Sequence, residues 1–238
     1  MKILDTTIRD GSYAVDFKFT CKDVKHICQR LEKLNIEFVE IGHGQGLNAS
    51  SSEHGFALHT DEEYLKAAKA VTDKAKIGFF CIPDIARLED LDAARKGGCD
   101  FIRIGVNADS PEKARRFIMH AKKIGLQVMV NFMKTYIISP VKFAQNAKWA
   151  YEQGAEYVYI VDSAGSMLPN ELKAYFDETR KLCDVKLGFH GHNNLGLAVS
   201  NSVYAADLGF DIIDTSMQGL GRSLGNASTE MTVMALKK

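Results

Sequence analysis

Short apolar runs rich in β-branched and aromatic residues recur along the chain: KILDTT, IEFVEIG, KIGFFCI, FIRIGV, QVMVNF, YVYIVD, VKLGFHGH and DIIDTS. Each has strand length and the residue types that pack on a pleated surface. Between them lie charged stretches such as CKDVKHICQRLEKL, DEEYLKAAKAV, SPEKARRFIMHAKKIG, PVKFAQNAKWAYEQG and NELKAYFDETRKL, with apolar residues three and four apart. That period lays one apolar stripe along a helix and leaves Lys and Glu on the other side. Helix ends are signalled as well. Thr20, Thr60, Ser110 and Ser139 stand where an N-cap hydroxyl is needed, Pro111 and Pro140 suit a first turn, and Gly97, Gly125, Gly154 and Gly209 suit the exits.

Strand followed by helix, repeated eight times, predicts parallel strands joined by right-handed crossovers and covered on both faces. In 238 residues, close to the ~250 usual for the architecture, this predicts an α/β fold, a (β/α)8 TIM barrel forming one domain over residues 1–238. An open doubly wound sheet is the competing arrangement, and the lack of a GxGxxG turn after the first strand counts against it. One stretch breaks the rhythm. From Gly42 to Thr60 the chain reads GHGQGLNASSSEHGFALHT, far beyond the usual connection of ~4–6 residues. It follows the second strand, which places it at the catalytic end of a barrel.

Composition narrows the function classes. Thirty Lys and Arg balance thirty Asp and Glu, so no global field draws the chain to nucleic acid or anionic lipid. Arg115-Arg116 and Lys122-Lys123 alternate with apolar residues at helical spacing and read as a solvated helix face. No run approaches the ~18 apolar residues of a membrane span and the amino end has no secretory apolar core, so a cytoplasmic protein is expected, with neither nucleic acid nor membrane as partner. Cys21, Cys28, Cys81, Cys99 and Cys183 are scattered without a CxxC pair, which favours reduced thiols over disulfides or a Cys-based zinc site.

In a barrel of this kind reactive groups stand at the carboxyl ends of strands. Those ends read Arg9-Asp10-Gly11 after the first strand, Glu40 and His43 after the second, Arg103 and Asn131 on the fourth and fifth. Asp162-Ser163 follows the sixth, His190-Gly191-His192 the seventh, and Gly219 through Asn226 lies beyond the eighth. Two residues apart on a strand, His190 and His192 point to one face and can share a metal. With Asp10 they form a mixed N/O donor set suited to Mn²⁺, Mg²⁺, Co²⁺ or Fe²⁺, and the Asn226 amide oxygen is a candidate fourth ligand. Arg9 beside Asp10 reads either as a structural ion pair at the barrel mouth or as a guanidinium placed to stabilise an enolate oxygen. Ser163 with the backbone near Gly165 reads either as an ordinary turn and cap or as a seat for a substrate carboxylate at a helix start.

Taken together, Asp5-Thr6-Thr7-Ile8-Arg9-Asp10-Gly11, His190-Gly191-His192-Asn193-Asn194-Leu195 and the glycine-rich loop to Gly225-Asn226 resemble the DRE-TIM metallolyases. That superfamily handles pyruvate and includes hydroxymethylglutaryl-CoA lyase, isopropylmalate synthase and 4-hydroxy-2-oxovalerate aldolase. Glu40 through Leu47, Ser51-Ser52, Gly55 through Asp61 and Asp162 through Met167 are similar to the last of these. The resemblance implies a lyase that cleaves or forms 4-hydroxy-2-oxo acids through the enolate of pyruvate, with a small-molecule 2-oxo acid as substrate. It implies that Asp10, His190 and His192, with Asn226 as a further ligand, bind a divalent cation, Mn²⁺ or Mg²⁺. Arg9 would stabilise the enolate, and Ser163 would help orient the substrate; His43, at the end of the second strand, is expected as a further substrate contact.

The sequence departs from the aldolase pattern at two places. Where those aldolases carry a histidine as general base, this chain has Tyr13, whose phenol ionises near ~10 unless its surroundings lower that value. His54 is the substitute base expected from the long loop, with His43 and His59 as further candidates. The aldolases that pass their aldehyde to an acylating aldehyde dehydrogenase continue into a helical region, whereas this sequence stops at Lys238, so that partner is not expected; a homo-oligomer is left open. Two other functions compete: a Claisen-type acyltransferase using acetyl-CoA, like isopropylmalate synthase, and a catalytically silent barrel that binds metal and oxo acid.

Overall fold

The computed structural model describes residues 1–237. Strands β1 (Lys2–Asp5), β2 (Phe38–Ile41), β3 (Lys76–Cys81), β4 (Phe101–Asn107), β5 (Gln127–Met133), β6 (Tyr157–Asp162), β7 (Lys186–Gly191) and β8 (Ile212–Thr215) form a closed barrel in chain order. Every pairing is parallel, and β8 returns to β1 through the register Lys2 to Ile212 and Asp5 to Thr215, so the sheet has no free edge. Helices α1 (Cys21–Lys33), α2 (Asp61–Lys69), α3 (Leu88–Lys96), α4 (Arg115–Lys123), α5 (Pro140–Gln153), α6 (Pro169–Leu182), α7 (Ala198–Leu208) and α8 (Thr229–Leu236) surround it. The fold is the (β/α)8 barrel that the alternation predicts. Among the described residues no helix is long and apolar enough to cross a membrane.

Local chemistry explains most helix boundaries. Thr20 and Thr60 accept the backbone N–H groups of Asp23 and Glu63, whose carboxylates accept the threonine N–H groups in return. Ser139 caps α5 by accepting from Lys142. Ser110 differs from its expected role: its hydroxyl donates to Asp109 at 2.9 Å, Pro111–Ala114 form a 3-10 turn, and α4 starts only at Arg115. The backbone at Ser110, with ψ near 53°, does not have the extended conformation an N-cap needs. After α3 the left-handed residue is Gly98 and not Gly97, which stays right-handed.

Two apolar layers hold the barrel. The outer one packs strand residues such as Ile41, Phe79, Ile104 and Ile160 against helix residues such as Leu31, Leu65, Phe117 and Leu172. The inner one fills the barrel with Leu4, Phe38, Phe101, Met129, Tyr157, Tyr159, Val161 and Ile212. Alternate strand residues point inward, so the residue two positions after each inner apolar side chain rises one level toward the carboxyl end. Glycine at Gly188 is required there: a Cβ would fall 2.5 Å from the Tyr159 ring, which occupies that space.

Candidate active site

One level above Phe38, Phe101 and Ile212 stand Glu40, Arg103 and Asp214, all buried. Arg103 is fully enclosed and donates to Glu40 at 2.9 Å, to Asp214 and to the Asn131 amide oxygen at 3.3 Å. Its guanidinium also lies 4.4 Å from the centre of the Tyr159 ring. Burial opposes its charge, but Asp214 and Glu40 outweigh burial and raise its pKa. Arg9 donates through Nε to Glu40 at 2.6 Å and through Nη1 to Asp10 at 2.7 Å, with Phe80 4.8 Å away across its face. Arg9 Nη2 has no partner among the described residues. Two guanidiniums and three carboxylates thus form one continuous network.

The network ends at the imidazoles. Asp214 accepts from His190 Nδ1 at 2.8 Å, which orients the ring and leaves Nε2 for a ligand. His192 follows β7 in a bridge to Asn226; its Nδ1 is buried and unpartnered. Burial, then neighbouring His190, push the His192 pKa down to about 4, so the ring is neutral at pH 7. Burial disfavours the Asp10 carboxylate, yet Arg9 foremost and then His192 hold its pKa well below the usual range. One donor atom from each of Asp10, His190 and His192 lies within 4.8 Å of the other two, the spacing at which one ion can touch all three. A buried carboxylate and two imidazoles gathered in this way are a donor set that fits a divalent cation.

Asn226 reaches this group differently from the expectation that it is a ligand. Its amide nitrogen donates to Asp10 at 2.6 Å, while its Oδ1 is buried without a partner. In this orientation it holds Asp10 in place. Rotating the amide would set oxygen against carboxylate, which becomes favourable only with a cation between them.

A cavity of about 320 Å³ opens beside the cluster, lined by Arg9, Asp10, Tyr13, Gly44, Gln45, Phe80, Asn131, Ser163, His190, His192 and Arg222, among others. Tyr13, Ser163 and Arg9 therefore lie together as expected. Burial pushes the Tyr13 phenol up despite the opposing charge of Arg9. Ser163 Oγ accepts the Lys134 N–H at 3.0 Å. The backbone amides expected to hold a substrate carboxylate are already taken: the Asp162 carboxylate accepts from Ser166 at 3.1 Å and from Met167 at 2.9 Å, and α6 begins only at Pro169.

His43 and His54 do not line the cavity. The His43 ring is buried, stacks on Phe17 with centroids 4.0 Å apart, and accepts the Gln45 N–H at 3.1 Å. His54 sits in the tight Ser51–Gly55 turn, its backbone N–H donating to Ser51 Oγ. The His43 ring and the His54 backbone are tied into the long loop, and neither residue lines the cavity, so the expected substrate contact from His43 and the expected base at His54 find no support in this geometry. Asp214 is the site residue that sequence reasoning missed. Its signal was a lone carboxylate inside the apolar run DIIDTS, in step with Ile212.

One carboxylate and two imidazoles gathered at the carboxyl end of a (β/α)8 barrel, backed by buried arginines, make a candidate metal centre of a barrel enzyme. The HMGL-like family profile matches residues 1–238, and the chain belongs to that family. It is 41% identical over 236 residues to an oxaloacetate decarboxylase of Mycobacterium tuberculosis, covering 99% of this chain and 70% of that protein. It is 36% identical over 238 residues to a 4-hydroxy-2-oxovalerate aldolase of Carboxydothermus hydrogenoformans, covering 100% and 71%. Among solved structures, the N-terminal domain of a candidate aldolase from Bacteroides vulgatus superposes with a TM-score of 0.87 at 30% identity, covering 100% of this chain and 80% of that one. The carboxyl transferase domain of Rhizobium etli pyruvate carboxylase shares the fold, with a TM-score of 0.87 at 19% identity over 100% of this chain and 43% of that one. The expectation of a carbon–carbon lyase is met at the level of the family.

Proposed function

We propose that the chain is a divalent-metal-dependent lyase that breaks the C3–C4 bond of a 2-oxo acid and leaves the enolate of pyruvate. The observation that carries this reading is the convergence of Asp10, His190 and His192 on one point of a cavity that Arg9 also lines. Relatives named as an oxaloacetate decarboxylase and as 4-hydroxy-2-oxovalerate aldolases support it, because cleavage of either compound at C3–C4 gives the same enolate.

Asp10, His190 and His192 would hold Mn²⁺ or Mg²⁺, whose charge, when bound, makes the C2 carbonyl a better electron sink. The rest falls to the chain's own side chains. Arg9 is fixed by Glu40 and Asp10, so its remaining N–H groups meet the charge that develops on the C2 oxygen without reorganising. Ser163 orients the oxo acid, and Phe80 and Val161 keep water from the enolate.

Proton NMR of pyruvate in D₂O tests the reading. Loss of the methyl signal that needs protein and Mg²⁺, and that disappears in Arg9→Ala, is the expected result. No exchange with metal bound would overturn it.

A further inference from the structure

Among the cavity-lining residues that the enolate chemistry does not use are Arg222 and Tyr13. Arg9, the other cation there, is held by Asp10 and Glu40, whereas Arg222 has no ion pair or side-chain hydrogen bond among the described residues. Its backbone is nevertheless fixed. Arg222 accepts the Gly225 N–H at 3.1 Å, Leu224 donates to Asn194 Oδ1 at 3.2 Å, and Asn226 donates to Gly219 at 2.9 Å. Gly221 packs so closely on Asn226 that a Cβ would lie 2.5 Å from its Nδ2. The backbone of Arg222, an exposed residue on the cavity rim, is thus held beside the residue that holds Asp10, while its guanidinium is uncommitted.

The cavity also lacks what an aldol cleavage needs. Breaking C3–C4 in a 4-hydroxy-2-oxo acid requires a base for the 4-hydroxyl proton. Outside the Asp10, His190 and His192 cluster, no carboxylate or imidazole lines the cavity among the described residues. A 4-carboxylate needs no base. The C3–C4 electron pair moves into the C2–C3 bond, CO₂ leaves, and C3 takes one proton.

Resting on the function proposed above, we infer that Arg222 receives the C4 carboxylate of a 2-oxo dicarboxylic acid, so that the site favours decarboxylation of an oxaloacetate-type substrate over cleavage of a 4-hydroxy-2-oxo acid. Tyr13 hands its hydroxyl proton to C3 and regains one from water, so the sum is substrate plus one proton giving pyruvate and CO₂. Arg222 pairs with a charge that disappears as CO₂ forms. It therefore favours the bound ground state and selects the substrate, and its loss appears in KM and not as a fall in kcat.

The test compares oxaloacetate with 4-hydroxy-2-oxovalerate on the full chain with Mn²⁺. Decarboxylation by Mn²⁺ with the Asp10→Asn protein is subtracted, and pyruvate methyl exchange is measured alongside. The expected result is a kcat/KM for oxaloacetate roughly tenfold or more above that for the hydroxy acid. Arg222→Gln should raise the oxaloacetate KM by roughly tenfold to a hundredfold, the usual effect of losing a charged hydrogen bond, without lowering its kcat and with a much smaller change for the hydroxy acid. Arg222→Lys should recover part of the loss. Preference for the hydroxy acid, or an equal effect of Arg222→Gln on both substrates, overturns the inference; if methyl exchange persists, the lyase reading survives it. Absence of exchange and of both cleavages removes the lyase reading, and this inference with it.

Discussion

At the scale of single residues, Asp214 joins two functions. Its Oδ2 accepts from Arg103 in the barrel interior and from His190 at the candidate metal site. Asp214→Asn removes no metal ligand, yet it weakens the bond that orients His190. Isothermal titration should therefore show Mn²⁺ affinity lowered roughly 10- to 100-fold, the usual effect of a lost outer partner. Asp10→Asn, His190→Ala and His192→Ala remove donor atoms and should abolish measurable binding. Asp214→Asn also leaves Arg103 with Glu40 as its one carboxylate, and urea unfolding should report a loss of about 3 kcal/mol. Full Mn²⁺ affinity in that variant would show that His190 is oriented by something else.

At the scale of elements, β1 and α8 are joined by a buried carboxyl. Asp5 accepts the Thr7 N–H at 2.9 Å and the hydroxyl of Thr229, the first residue of α8, at 3.2 Å. Burial nevertheless dominates and pushes its pKa up to about 6. Between roughly pH 4 and pH 6 the native state keeps a proton that the unfolded chain, ionising near 3.9, has released. The contribution of this group to stability therefore falls as pH rises through that window, by roughly 3 kcal/mol in all. Asp5→Asn should flatten the difference, visible when urea midpoints of the two proteins are compared from pH 4 to 7. Another element, β7, depends on an absent side chain. Gly188→Ala would drive a methyl group into the Tyr159 ring, over which Arg103 lies, and should cost about 1–3 kcal/mol by overpacking. An unchanged Tm would mean that the ring can move aside.

Across the whole molecule, the candidate metal site spans the seam where the barrel closes. Asp10 follows β1 and His190 lies on β7, with β8 between them. A cation on these side chains ties the first and seventh strands together and binds only the folded chain. At a hundred times its Kd it should add about 2.7 kcal/mol, or roughly 5–10 °C in Tm for a chain of this size. Chelation should remove the increment, and Asp10→Asn should never show it. The sequence by itself determined the alternation of strands and helices, the caps at Thr20, Thr60 and Ser139, and the shared face of His190 and His192. These follow from periods of two and 3.6 residues and from bonds between near neighbours. Tertiary structure decided the remainder, because closure of the barrel brings together residues far apart in the chain. Glu40, Arg103 and Asp214 become one network only when β2, β4 and β8 share an interior level. The sequence favoured His54 over Tyr13 as the base, with His43 behind it, but in the folded chain His43 stacks on Phe17 and neither histidine lines the cavity, whereas Tyr13 does.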